Sequence, residues 1–114
     1  MQVAKSLGLF GHHAAFKAMS APASARALVR ALESDDETAR TLAGMFLVKS
    51  GRKSMPYLRE ALAERRSVPT VLQILADIGD PSVEPEIAAF ANDAEPDIRR
   101  AANDALETLR ESRR

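Results

Sequence analysis

The sequence has no cysteine and no tryptophan, and Tyr57 is its one tyrosine. The missing thiols exclude disulfides, thiol catalysis, zinc–thiolate sites and cysteine-held iron–sulfur clusters. No apolar run approaches the roughly 18–20 residues that a membrane-spanning helix needs. Neither charge is in excess: 16 Lys and Arg balance 16 Asp and Glu. A phosphate-binding face shows a basic excess, so the balance argues against nucleic acid as a partner. Glycine is scarce as well. Gly8, Gly11, Gly44, Gly51 and Gly79 fit neither GxGxxG nor GxxxxGK[ST], which excludes the common phosphate loops.

The first 25 residues hold Lys5, a short apolar stretch and a run of small residues at 20–25. A secretory signal needs an unbroken apolar region of about 7–15 residues. His12, His13 and Lys17 interrupt it here. The expected location is cytoplasmic, and the lack of cysteine agrees.

What the chain does contain is helix-forming material. Its 114 residues make about one domain, and 46% hydrophobic content with 28% charge is globular rather than disordered. Alanine, leucine, arginine and glutamate dominate, and all four favour helix. No stretch alternates apolar and polar for long enough to make a strand. The expected class is all-α.

Helical periodicity is clearest near the C-terminus. Ile98, Ala101, Ala102, Ala105, Leu106 and Leu109 follow i, i+3, i+4, i+7, i+8, i+11, one face of a helix. Arg99, Arg100, Asn103, Asp104, Glu107 and Glu111 occupy the other face. Pro96 suits an early helical position, where its missing N–H costs nothing. Ala39, Leu42, Ala43, Phe46 and Leu47 repeat the pattern, with Asp35, Asp36 and Glu37 before them and Gly51 after. A third helix runs through Val68, Val71, Leu72, Leu75 and Ile78 and closes at Gly79. Shorter helices lie between: one at Leu28, Val29 and Leu32; one at Leu58, Ala61 and Leu62 with Ser54 as N-cap; one at Val83, Ile87 and Phe90 with Asp80 as N-cap and Pro81 at its first position.

These helices form pairs that resemble one another. Leu28, Leu58 and Ile87 are equivalent, as are Leu32, Leu62 and Ala91, and Leu47, Leu75 and Leu106. Leu47 and Leu75 are 28 apart, and Leu75 and Leu106 are 31 apart. A period near 30 built from helix–turn–helix units is the pattern of an α-solenoid. One pair cannot bury its apolar face alone, whereas stacked pairs share a continuous core. The expected division is an N-terminal capping or docking helix at 1–20, repeats at about 21–53, 54–79 and 80–112, and a polar tail at 113–114. In the first segment Val3, Leu7, Phe10 and Ala14 follow i, i+4, i+7, i+11, which suits a helix that covers a solenoid end.

Residues 75–109, LADIGDPSVEPEIAAFANDAEPDIRRAANDALETL, resemble HEAT-like repeats of the phycobilisome-lyase type. The matching features are Asp77-Ile78-Gly79-Asp80-Pro81, Pro85, Ile87, Asp93, Pro96, Ile98-Arg99-Arg100-Ala101-Ala102 and Ala105-Leu106. The first unit departs from the pattern, with Arg26 where later units have proline, and the second has a shortened turn at Ser67-Val68-Pro69. The resemblance implies a short right-handed α-solenoid of about three helix pairs. It implies that Arg40 and Arg99 link adjacent repeats. It also implies that the second helix of each pair lines a concave, partner-binding surface.

Chemistry is sparse. Adjacent helical residues diverge by about 100°, so His12 and His13 do not share a metal ion easily. A catalytic serine needs a base within hydrogen-bond reach, and the two histidines have no carboxylate near them in sequence. The pairs Asp35-Asp36 and Asp77-Asp80 fall at helix boundaries, where capping and the helix dipole account for them. No enzyme activity, cofactor or metal is expected.

The leading expectation is therefore a non-catalytic module that binds a protein partner. Its candidate contact residues are Arg40, Met45, Gln73, Arg100, Asn103, Asp104 and Glu107. Met45 and Val48 widen the apolar face of their helix, which suits a partner contact. Charge is uneven, with eight basic and four acidic residues in 1–53 but eight and twelve in 54–114. That asymmetry suits self-association through the solenoid ends, and the N-terminal helix at 1–20 is a second expected route to it. Two alternatives follow from the resemblance: nucleic-acid binding, as in HEAT-like DNA glycosylases, and an accessory role related to phycobilisome lyases.

Overall fold

The computed structural model describes residues 22–112. The described chain is all-α: α1 (Pro22–Ala31), α2 (Glu37–Ser50), α3 (Met55–Ala63), α4 (Val68–Ile78), α5 (Glu84–Ala88) and α6 (Pro96–Glu111), with 3₁₀ turns at Gly51–Lys53 and Pro81–Val83. No strand occurs among the described residues, and no helix there is long and apolar enough to cross a membrane. The expected N-terminal helix at 1–20 and the polar tail at 113–114 lie outside them. The chain forms two compact units, Met1–Tyr57 and Leu58–Arg114, and the division falls within α3.

In the first unit α1 packs on α2. Ala25, Leu28, Val29 and Leu32 are buried on α1, and Ala43 and Leu47 on α2. Asp36 caps α2: its Oδ1 accepts from the Thr38 N–H at 3.0 Å. Gly51 ends the helix with φ +60° and ψ −130°, a backbone conformation reserved for glycine, and its N–H donates to the Val48 carbonyl. Ser54 departs from its expected capping role. The side chain is fully buried, and its hydroxyl turns back to the carbonyl oxygens of Leu47 and Gly51, each at 2.9 Å. It therefore serves carbonyls at and just beyond the end of α2 rather than the N–H groups of α3.

In the second unit α4 packs along α6, and α5 packs on α6. Six residues of α4 are buried: Val68, Val71, Leu72, Ile74, Leu75 and Ala76. They face a partner helix rich in alanine, where Ile98, Ala102, Ala105, Leu106 and Leu109 are buried. Small side chains let the two backbones approach closely. Gly79 closes α4 in the left-handed region, φ +80°, as expected of a C′ residue.

The helix expected after Asp80 is present but split. Asp80 accepts from the Ser82 N–H at 2.9 Å. A 3₁₀ turn then covers Pro81–Val83 before the five residues of α5. Pro85 has no N–H to donate to the Pro81 carbonyl, and Glu84 N–H takes that acceptor instead. Phe90 falls beyond the end of α5 and is half-buried. Of the positions read as equivalent, Leu28, Leu58 and Ile87 are each buried, as are Leu47, Leu75 and Leu106; in the third set Leu32 and Leu62 are buried and Ala91 is half-buried.

Candidate functional site

Two turns in different parts of the chain make the same hydrogen bonds. Before α2, the Asp36 N–H donates to Ser34 Oγ at 3.1 Å, and Arg40 Nη1 donates to the Ser34 carbonyl at 2.7 Å. Before α6, the Glu95 N–H donates to Asp93 Oδ2 at 3.0 Å, and Arg99 Nη1 donates to the Asp93 carbonyl at 2.8 Å. In both, the arginine reaches back six residues. Each arginine thus fastens the turn that leads into its own helix. This corrects the expectation that Arg40 and Arg99 link one repeat to the next. A guanidinium in the first turn of a helix lies close to the carbonyls of the turn before it and reaches no further.

The links between helix pairs come from Arg59 and Arg65. Arg59 Nε lies 2.9 and 2.8 Å from the two carboxylate oxygens of Glu86, joining α3 to α5. Arg65 forms a fork with Asp93, Nη1 to Oδ1 at 3.0 Å and Nη2 to Oδ2 at 3.1 Å. Its Nη2 also reaches Glu95 Oε2 at 3.1 Å. The backbone supports this reach. Arg66 N–H donates to the Ala61 carbonyl and Arg65 N–H to the Leu62 carbonyl, the paired bonds of a Schellman helix end. Arg65 therefore occupies the left-handed position that glycine usually fills, with φ +54°. The side chain explains the choice: glycine there has nothing to give Asp93.

The Arg65 guanidinium, followed by the Glu95 backbone N–H, holds the Asp93 carboxyl below its ordinary range. Asp93 and Glu95 in turn raise the Arg65 guanidinium, and Glu86 raises that of Arg59. Because the folded carboxyl is depressed, its contribution is complete above the unfolded aspartate pKa of about 3.9. It is lost as pH falls below that value through the folded pKa. Thermal melts should therefore show wild type more stable than Asp93→Asn at pH 6, with the gap closing as pH falls below the unfolded aspartate pKa. A gap that is unchanged by acid would remove the Arg65–Asp93 pair from the account.

The candidate contact residues divide between the two units. Arg40 and Met45 stand on α2, and both are exposed. Gln73 stands on α4 and is already engaged: its Nε2 donates to Asp77 Oδ1 at 2.9 Å and to Thr108 Oγ1 at 3.5 Å. The short bond lies within α4, and the contact to α6 is long. Arg100, Asn103, Asp104 and Glu107 are all exposed on α6. The intramolecular contact among them is a long pair, Arg100 Nη1 to Asp97 Oδ1 at 3.6 Å, and both side chains are open to solvent. Such a pair contributes little to stability.

Among the described residues no group of three or more His, Asp or Glu is arranged to hold a metal ion. His12 and His13 lie outside the described residues. Among the described residues every buried side-chain nitrogen or oxygen has a hydrogen-bond partner. The polar groups inside the fold are thus committed to holding it. Sequence reading passed over Arg59 and Arg65, although one signal was available. Arg65 and Asp93 are 28 apart, the same spacing as Leu47 and Leu75. Comparison with protein-family models, curated proteins and solved structures gives no match to this chain.

Proposed function

We propose that the chain is a non-catalytic protein–protein interaction module of the cytoplasm. It is built as a short right-handed α-solenoid of about three HEAT-like helix pairs, with its partner on the surface of the second helices α2, α4 and α6. The repeated turn chemistry of Ser34–Arg40 and Asp93–Arg99 supports the repeat. The observation that carries the function is on α6. That helix buries Ile98, Ala102, Ala105, Leu106 and Leu109 while Arg100, Asn103, Asp104 and Glu107 stand exposed. A row of donors and acceptors free of structural duty is what a polar partner contact requires.

The test is a capture from native lysate by wild type and by Arg100→Glu/Glu107→Lys, read by mass spectrometry. Both substitutions are at exposed sites, so the variant should keep its helical circular dichroism. The expected result is a specific protein enriched by wild type and lost by the folded variant. Equal capture by both would sink the α6 assignment.

A further inference from the structure

We infer that α2 docks a partner segment that is acidic and carries a large apolar side chain. This rests on the interaction reading above and names the partner's chemistry at one face. Between positions 42 and 48 of α2 every residue except Gly44 is apolar. Apolar side chains therefore run round the helix instead of along one stripe, a pattern that belongs to covered helices. The helix α4 shows what cover looks like: Val71, Leu72, Ile74, Leu75 and Ala76 are all buried. In α2 only Ala43 and Leu47 are buried. Leu42, Phe46 and Val48 are half-buried. Met45 is 53% exposed, the one large hydrophobic so exposed among the described residues. A single exposed methionine is ordinary. A helix apolar all round and buried on one side is not.

Charge selects the occupant. Lys49 lies one turn beyond Met45 on the same face of α2, and Lys53 follows in the next turn of chain. Both are exposed. The carboxylates of this unit, Glu33, Asp35, Asp36 and Glu37, gather at the opposite end of the helix. The C-terminal half of α2 thus combines open apolar surface with positive charge. Residues 1–21 of the chain are a poor complement, because they carry Lys5 and Lys17 and no Asp or Glu. A second copy offers the acidic residues of α6, but no exposed large hydrophobic there to meet Met45. A segment with both features fits: an apolar side chain on Met45, and Asp or Glu about one helical turn away at Lys49 and Lys53.

The experiment selects a displayed library of random peptides of about 15 residues, long enough to form helix on binding, on the full-length protein. Enriched peptides are then titrated onto wild type, Met45→Glu, Lys49→Glu/Lys53→Glu and Arg100→Glu/Glu107→Lys. The expected peptides are acidic with an apolar anchor. They should lose about tenfold or more in affinity on each α2 variant and little on the α6 variant. Circular dichroism checks each fold, and Met45→Gln replaces Met45→Glu if helix is lost. Peptides rich in Lys or Arg overturn the inference. So do peptides weakened by the α6 variant alone, although these leave the interaction reading standing. A concentration-dependent dimer abolished by Met45→Glu assigns the face to a second copy and overturns it too. Recovery of no peptide counts against both readings.

Discussion

Replacing Leu75 by alanine should destabilise the protein by about 2–5 kcal/mol, the usual range for a fully buried leucine. Leu75 is inaccessible to solvent in α4, the helix that packs along α6. The cost has two parts: the lost transfer energy of the deleted carbons and the cavity they leave. The second part should be large here. The facing helix contributes Ala102 and Ala105, both buried, and alanine has no further rotamer with which to fill a void. A domain of this size has about 5–15 kcal/mol in all, so one substitution takes a substantial share. The measurement is urea unfolding followed by circular dichroism. With a slope of about 1–3 kcal/mol per molar, the midpoint should fall by roughly 1 M or more. Ile78→Ala, at a half-buried position on the same helix, should cost clearly less. Equal effects would mean that the α4–α6 contact is looser than the structure shows.

Ser54→Ala should cost about 1–3 kcal/mol, although it removes a single oxygen. The hydroxyl is fully buried and donates to the carbonyls of Leu47 and Gly51. The Leu47 carbonyl belongs to the last turn of α2, where intrahelical donors have run out, whereas the Gly51 carbonyl also accepts from the Ser54 backbone N–H at 3.0 Å. Alanine leaves the Leu47 carbonyl without this donor in a place where the side chain was sealed from water. The penalty is then that of an unmet buried acceptor, which exceeds the net gain from an ordinary hydrogen bond. Ser50 provides the comparison. Its hydroxyl bonds to the Phe46 carbonyl at 2.9 Å within α2 and is only part-buried. Ser50→Ala should therefore change stability by about 0.5 kcal/mol or less. Similar losses from the two variants would show that the buried hydroxyl has no special place in the turn.

The contrast between these two serines shows how far sequence reasoning reaches. Ser54 precedes a helix, and its residue type is a good N-cap, so capping was the natural local reading. Its hydroxyl has a choice of partners, and burial of the end of α2 decides the matter. Pro85 carried the opposite lesson. Its missing N–H is a local property, legible without coordinates, yet the helix after Asp80 was read as continuous. The split into a 3₁₀ turn and α5 follows from that missing N–H.

The sequence by itself determined the class of the fold, the places of the long helices and the apolar faces of α4 and α6. Ile98, Ala102, Ala105, Leu106 and Leu109, and Val68, Val71, Leu72 and Leu75, are buried as their spacing required, while Ala101 and Ile78 are half-buried. This information is local, because a helix repeats every 3.6 residues and an apolar stripe at that period has to be covered. The same spacing made Met45 and the α6 row visible as surface. What covers each stripe was a tertiary decision. So were the partners of the arginines: Arg40 and Arg99 bond within their own turns, while Arg59 and Arg65 cross to Glu86 and Asp93. A guanidinium sits at the end of a long flexible stem, and several carboxylates and carbonyls compete for it. Only the folded backbone, including the left-handed turn at Arg65, brings one of them within about 3 Å.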